Sequence, residues 1–481
     1  MSRYARHAFV ALILAATLVI PAAASAGGPG VWTAVTGVGQ SNLQEIGLAR
    51  DTAGSLRAFW RVTGATDGLS YRSISPVGAV GAAVALPNPN GWKTLTFPAA
   101  LYWSGTWRLF FGALSPSGAG EYGGSLYTAF DDGSGWQMPK SPVSDDVVKQ
   151  AWAATTVSAL VTSDGTPVQA WDQGGAVYVH TGLSTSSPQG RFEQSPNGGY
   201  PGLAQSDDAV FAAWESIKIG DPGVRVALVN KSTSAPISTW TLPGSWQLFN
   251  GKREFDLMMQ KTPIAGRPGG AVYVAYPTGY PVTNTVRVWK VTSAGPAPAV
   301  AVSPGGAEKS WATITTEKTA PQKLWVLWSE KNGSRYIIKA RRSNSKATAW
   351  GATSSVLAPT GTVGLWRLGA DGGSGRVDVV ALLQNSSGYV TRHTQLLPTL
   401  SASWTPARAK VGTRFTATVK VTDAGEPVKG ATVVVDGAKV VTGATGVATI
   451  KRGPYSTPRK LAITVSKSGF VSARGSISIV R

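Results

Sequence analysis

Eight side chains in this 481-residue chain have the types and spacing to hold a ligand: the aromatics Trp92, Trp152, Tyr200, Phe255 and Trp311, and the carboxylates Asp172, Glu215 and Glu330. Aromatic rings offer flat apolar faces on which the C–H faces of sugars or cationic groups stack, and neighbouring carboxylates accept hydrogen bonds from hydroxyls. That combination suits a carbohydrate or another polymer with the same mixed surface. Trp366 falls slightly deeper at the corresponding place in a seventh unit. The competing role for any one of these rings is packing between repeated units.

The remaining inventory removes most enzyme chemistry. With no Cys there are no disulfides, thiolate nucleophiles or zinc–thiolate sites. Of three His, His7 falls in an N-terminal leader, which leaves His180 and His393 as ordinary polar strand residues and makes a His-based triad or a multi-His metal site very hard to build. No metal or cofactor is expected. The chain contains no G-x-S-x-G, phosphate-binding P-loop, H-E-x-x-H or D-x-D-x-D-G sequence. Glycosidases that need only carboxylates, arginines and a tyrosine remain open, but with nine Glu in the chain no catalytic residue can be assigned. The balance points away from an enzyme.

The elements that position the eight residues form a repeat. Short apolar strands end in a large or apolar anchor at Trp60, Phe111, Trp171, Trp214, Tyr276, Trp328 and, more weakly, Ala381, a mean spacing of about 53 residues. Each anchor follows a shorter strand, for example GLAQ or DLMMQ, and precedes two more, for example VRVALVN and ISTWTLP. Four short strands at such a period predict the blade of a propeller. The aromatics stand at the start of the innermost strands and the carboxylates just after the anchors, hence on one face. The seventh repeat runs out near Leu397, and Val31–Thr36 is free to supply its missing strand. The expectation is an all-β chain: a seven-bladed β-propeller over residues 27–397, closed by an N-terminal strand, which removes exposed sheet edges.

One turn carries a family trace. Ala129-Phe130-Asp131-Asp132-Gly133-Ser134-Gly135-Trp136 resembles the sialidase Asp-box S-x-D-x-G-x-T-W at its Asp, Gly and Trp, and Ser343 to Trp350 keeps the Ser and Trp. In that family the box is a structural turn away from the active site, so the resemblance implies fold rather than activity. Trp-rich repeats also resemble bacterial propeller lectins, which implies non-catalytic carbohydrate binding.

Two segments flank the repeats. Residues 1–26 hold Arg3 and Arg6, an apolar run from Ala8 to Ile20, and Ala24-Ser25-Ala26, the pattern of a cleaved export signal, which predicts a secreted or cell-wall-associated protein with no transmembrane segment in the mature chain. Residues 398–481 alternate Thr, Val and Ala with Asp-Gly and Gly turns and predict an Ig-like β-sandwich. Gly425 to Val433 and Thr442 to Thr449 resemble bacterial Ig-like and carboxypeptidase-regulatory-like domains, which implies a spacer or surface module. This module has 13 Lys+Arg against 3 Asp+Glu, half of the net charge of +20, and is a candidate tether to an anionic cell-wall polymer. No specific nucleic-acid partner is expected, and the protein is taken as a monomer. The non-catalytic binding reading stands beside two alternatives, a sialidase-like glycosidase or lyase and a propeller for protein–protein contacts.

Overall fold

The computed structural model of the chain describes all residues except 1–26, 38–44, 64–66, 93–95, 115–123, 144–155, 174, 194–197, 219, 256 and 281, so the leader and Trp152 lie outside the described residues. Among the described residues every regular element is a β-strand. Seven antiparallel sheets follow one another, each a meander. In the fourth, Gly198–Ser206, Ala209–Ser216, Gly223–Val229 and Pro236–Thr241 pair in that order.

The first strand of each sheet touches the first strand of the next. These strands are Gly47–Arg50, Ala99–Trp103, Val157–Val161, Gly198–Ser206, Ile264–Arg267, Lys309–Thr316 and Gly364–Gly372, and the last of them touches Gly47–Arg50 again. The sheets therefore stand around a common axis, the arrangement of a β-propeller. The seventh takes a fourth strand from the other end of the chain: Thr33 lies opposite His393 and Ala34 opposite Arg392. All seven sequence anchors fall on second strands, where a sheet covered on both faces calls for a continuous apolar run rather than alternation. Ala271–Thr278 is buried at every position, and Trp60, Trp171, Trp214 and Trp328 are core.

Sheets one and seven are tied by charge. The Arg50 guanidinium meets Asp371 at 2.6 Å and Asp378 at 2.6 Å, and Asp378 also accepts from Gln395 and pairs with His393 Nε2, both at 2.8 Å. Although burial would raise the Asp378 carboxyl, its hydrogen bond to His393 and the charge of Arg50 hold it below the usual range. His393 and His180 sit on strands, and both are buried.

Sheet five departs from the sequence expectation. Residues 257–260 of the expected strand DLMMQ form none there; the innermost strand is Ile264–Arg267, beyond Pro263. The Met258 and Met259 amides that a ladder would need are taken instead by the Glu215 carboxylate of sheet four.

Beyond Pro398 two further sheets share one core. Ser401–Thr405, Phe415–Asp423, Glu426–Pro427 and Val447–Arg452 form the first; Arg408–Lys410, Ala473–Val480, Arg459–Ser466, Thr432–Val435 and Ala438–Val441 form the second. Val419, Val433, Ile463 and Ile477 meet between them. This two-sheet unit is docked on sheet six through charge: Lys323 pairs with Asp423 at 2.9 Å and Glu426 at 2.6 Å, and Arg342 pairs with Asp423 at 2.9 Å.

Candidate functional site

The starts of the innermost strands and the ends of the second strands share one face of the ring. Gly199 lies opposite Glu215, Lys309 lies opposite Glu330, and the Thr156 amide donates to Asp172 Oδ1 at 2.7 Å. Three innermost strands are bulged here, between Gly199 and Gly202, Ser310 and Thr313, and Leu365 and Arg367. The bulged stretches carry Tyr200, Trp311 and Trp366. Tyr200 has φ 56° and Trp311 φ 51°, in the left-handed region that bulky residues avoid. A bulge re-aims a side chain that regular pleating would send elsewhere, and strain of this kind persists only where its surroundings over-determine it.

Trp311, Glu330 and Trp366 come together. A depression of about 290 Å³ is lined by Glu308, Trp311, Glu330, Lys331, Tyr336 and Trp366. A second, of about 200 Å³, is lined by Leu257, Met258, Pro277, Thr283 and Lys309, and both use Ser310 and Trp311 as a wall. The Trp311 ring is braced from behind by the Arg367 guanidinium, 5.0 Å from its centroid. Trp366 donates its indole N–H to Gln384 at 2.9 Å, which fixes its plane. Glu330 is only 5% exposed and accepts from Trp328 Nε1 at 2.8 Å and Lys339 Nζ at 2.5 Å, with Lys309 Nζ 3.5 Å away. Burial alone would raise this carboxyl, but the Lys339 and Trp328 hydrogen bonds bring it below its ordinary value. It is an anion fixed in place, able to orient a hydroxyl and unsuited to carrying a proton at neutral pH.

Asp172, Tyr200 and Glu215 form a second group. Burial and the charges of Asp172 and Glu215 push the Tyr200 phenol up to about 12, while Arg367 acts against them. Glu215 is 1% exposed; its Oε1 accepts from Tyr276 Oη at 2.7 Å and the Met258 amide at 3.0 Å, its Oε2 from the Met259 amide at 3.3 Å. Burial nevertheless pushes its carboxyl up to about 8, against those three donors. Close by, along the axis, a cavity of about 200 Å³ is lined by Glu45, Gln260, Lys261 and Arg367 among the inner strands. Burial lowers the Lys261 ammonium, which the charge of Glu45 partly restores, and Glu45 also accepts from the Lys261 amide.

Of the other two described candidates, Trp92 is core and Phe255 backs the tyrosine that donates to Glu215. Trp92 is 3% exposed, with its ring centroid 4.6 Å from that of Tyr127 and its backbone clamped by Asn88. Phe255 stacks on Tyr276 at 5.3 Å. Sequence reasoning missed Glu45, Lys261, Tyr336 and Arg367, and took Tyr276 only as a second-strand anchor. Of the four missed, Arg367 alone had a signal, its adjacency to Trp366. The Asp-box-like turn joins sheets: Asp131 pairs with Arg57 at 3.3 Å and Trp136 meets the Phe59 ring edge-on at 5.7 Å.

No family model matches the chain, and no curated protein does. Among solved structures it is similar to a protein of unknown function from Dyadobacter fermentans DSM 18053, at 11% identity over 78% of this chain and 99% of that one, with a TM-score of 0.46. It is also similar to the Trypanosoma rangeli sialidase, at 10% identity over 90% and 84%, TM-score 0.38. A third is the arabinanase Arb43A of Bacillus subtilis, at 11% over 75% and 97%, TM-score 0.32. At such scores no residue of this chain takes a role from any of the three.

Proposed function

We propose that this is an exported carbohydrate-binding protein built as a seven-bladed propeller, with Thr33–Ala34 completing the last blade and residues 398–481 folded as an Ig-like spacer. The ligand is a glycan chain lying across blades five to seven. The observation that carries this reading is Trp311: a strained bulge presents its indole as the shared wall of two adjoining depressions, as an extended chain of stacked sugar rings requires. Glu330, Tyr336 and Trp366 supply the acceptor and the further apolar faces.

Hydrolysis is a second reading with one observation behind it. Glu215 holds its proton near neutral pH beside a tyrosine hydroxyl, a property a general acid needs. Its oxygens are occupied by protein donors, so proton delivery to a glycosidic oxygen requires those contacts to open.

Calorimetric titration of the full chain with neutral and acidic oligosaccharides, beside an assay for released reducing ends, separates the two. Binding without release is expected, weakened about tenfold or more in Trp311→Ala and in Tyr336→Ala, since one stacked ring contributes on the order of 1.5 kcal/mol. Release by the wild type and not by Glu215→Gln would establish hydrolysis. No saturable binding of any oligosaccharide at millimolar concentration would remove the carbohydrate reading.

A further inference from the structure

The charge of the C-terminal unit is not spread evenly over its two sheets. Along the second sheet, Leu461, Ile463, Val465, Ile477, Ile479, Val433 and Val435 point into the core, so their neighbours point outward. The outward set contains Arg408, Lys410, Lys439, Lys460 and Arg474, all exposed, and no Asp or Glu. None of the five belongs to an ion pair among the described residues. The register places them in rows: Arg408 and Lys460 flank Ser478, and Lys439 and Arg474 are joined through Val434 and Thr464. With strands about 4.8 Å apart, each row spans roughly 10–14 Å, and the rows lie about 13 Å apart.

The unit's three carboxylates are all withdrawn from this face. Asp423 and Glu426 are consumed by Lys323 and Arg342 of sheet six, and Asp436 pairs with Arg452 and Arg459. Docking to the propeller thus occupies two carboxylates of the first sheet and the unit's own arginines occupy the third, so the outer face of the second sheet carries cations alone. Between the cations stand Ser476, Ser478, Thr464, Ala462 and Val434, with no aromatic platform for stacking bases.

We propose that this face docks an anionic polysaccharide, its sugar carboxylates paired with the lysines and the two arginine forks and its hydroxyls with the serines and threonine. The site is separate from the Trp311 depressions and does not depend on them. A chain engaging both gains avidity if it can reach.

The test uses the full-length protein and polygalacturonate on a biosensor surface, at about 0.1 M and about 1 M salt, where screening lengths are ~10 and ~3 Å. Lys460→Glu/Arg474→Glu is expected to weaken binding tenfold or more. Lys420→Glu/Lys451→Glu, the same change in net charge on the outer face of the other sheet, is expected to weaken it less than threefold, and the high salt to abolish wild-type binding. All four positions are exposed, and unchanged melting temperatures show that both variants fold. Equal losses in the two variants, or none in either, would overturn the assignment to this face. Tighter binding to polyphosphate or to phosphatidylglycerol vesicles than to polygalacturonate would overturn the carboxylate class. Neutral oligosaccharides carry no carboxylate for these cations, so their failure to bind at the Trp311 depressions would leave this result standing on its own.

Discussion

Glu215 offers a direct measurement of what burial does at the centre of the ring. Folded, its carboxyl keeps a proton up to about pH 8; its ordinary value is 4.5. Below pH 4.5 the group is protonated in both states and favours neither. Between 4.5 and 8 the folded state alone holds the proton, so each unit of rising pH costs roughly 1.4 kcal/mol of stability, about 5 kcal/mol over the whole window. Glu215→Gln keeps the shape and does not titrate. Its amide meets the Met259 N–H as donor against donor, but that penalty does not vary with pH. The difference in unfolding free energy, wild type minus variant, should therefore fall by about 3 kcal/mol between pH 5 and pH 7.5. Urea unfolding followed by tryptophan fluorescence at half-unit pH steps measures it. A difference flat to within about 0.5 kcal/mol would refute the reasoning: the Tyr276 hydroxyl and the two amides would then hold the carboxylate ionised despite its burial, and the acid required for hydrolysis would not exist.

Two other substitutions probe the frame. Arg50→Met should lower stability by about 3–5 kcal/mol, because Asp371 loses its cation and Asp378 keeps only Arg376, 3.7 Å away, beside His393, and calorimetry should show the melting temperature falling accordingly. His180 runs opposite to Glu215 in sign: burial pushes it down to about 4, so its neutral form stabilises the fold above pH 6.5 and that contribution is lost as pH falls towards 4. The stability difference between wild type and His180→Gln should shrink by about 3 kcal/mol over that interval in the same urea assay.

Why the frame was legible in the sequence and the site only partly so follows from where each residue stands. A second strand covered on both faces has no polar side, so its apolar run recurs with the sheet, and seven anchors mark seven strands whatever the loops between them do. The cationic excess of residues 398–481 was equally plain, yet its concentration on one sheet was not, because that depends on which strands pair into that sheet and which of its faces each lysine and arginine takes. Trp92 and Trp311 occupy equivalent places in the period and differ in fate. Asn88 pins the first into the core beside Tyr127, whereas a bulge with a left-handed residue re-aims the second. A bulge adds a residue without altering the type of any side chain, so composition and spacing carry no trace of it. Glu45 and Lys261 lie in irregular segments ahead of inner strands, which have no period at all, and the shift of sheet five from DLMMQ to Ile264–Arg267 arises from a carboxylate in the sheet before it. The repeat therefore builds the ring, and local departures from the repeat build the site. Substitutions that restore regularity at Tyr200 or Trp311 should leave the ring intact and remove what it presents.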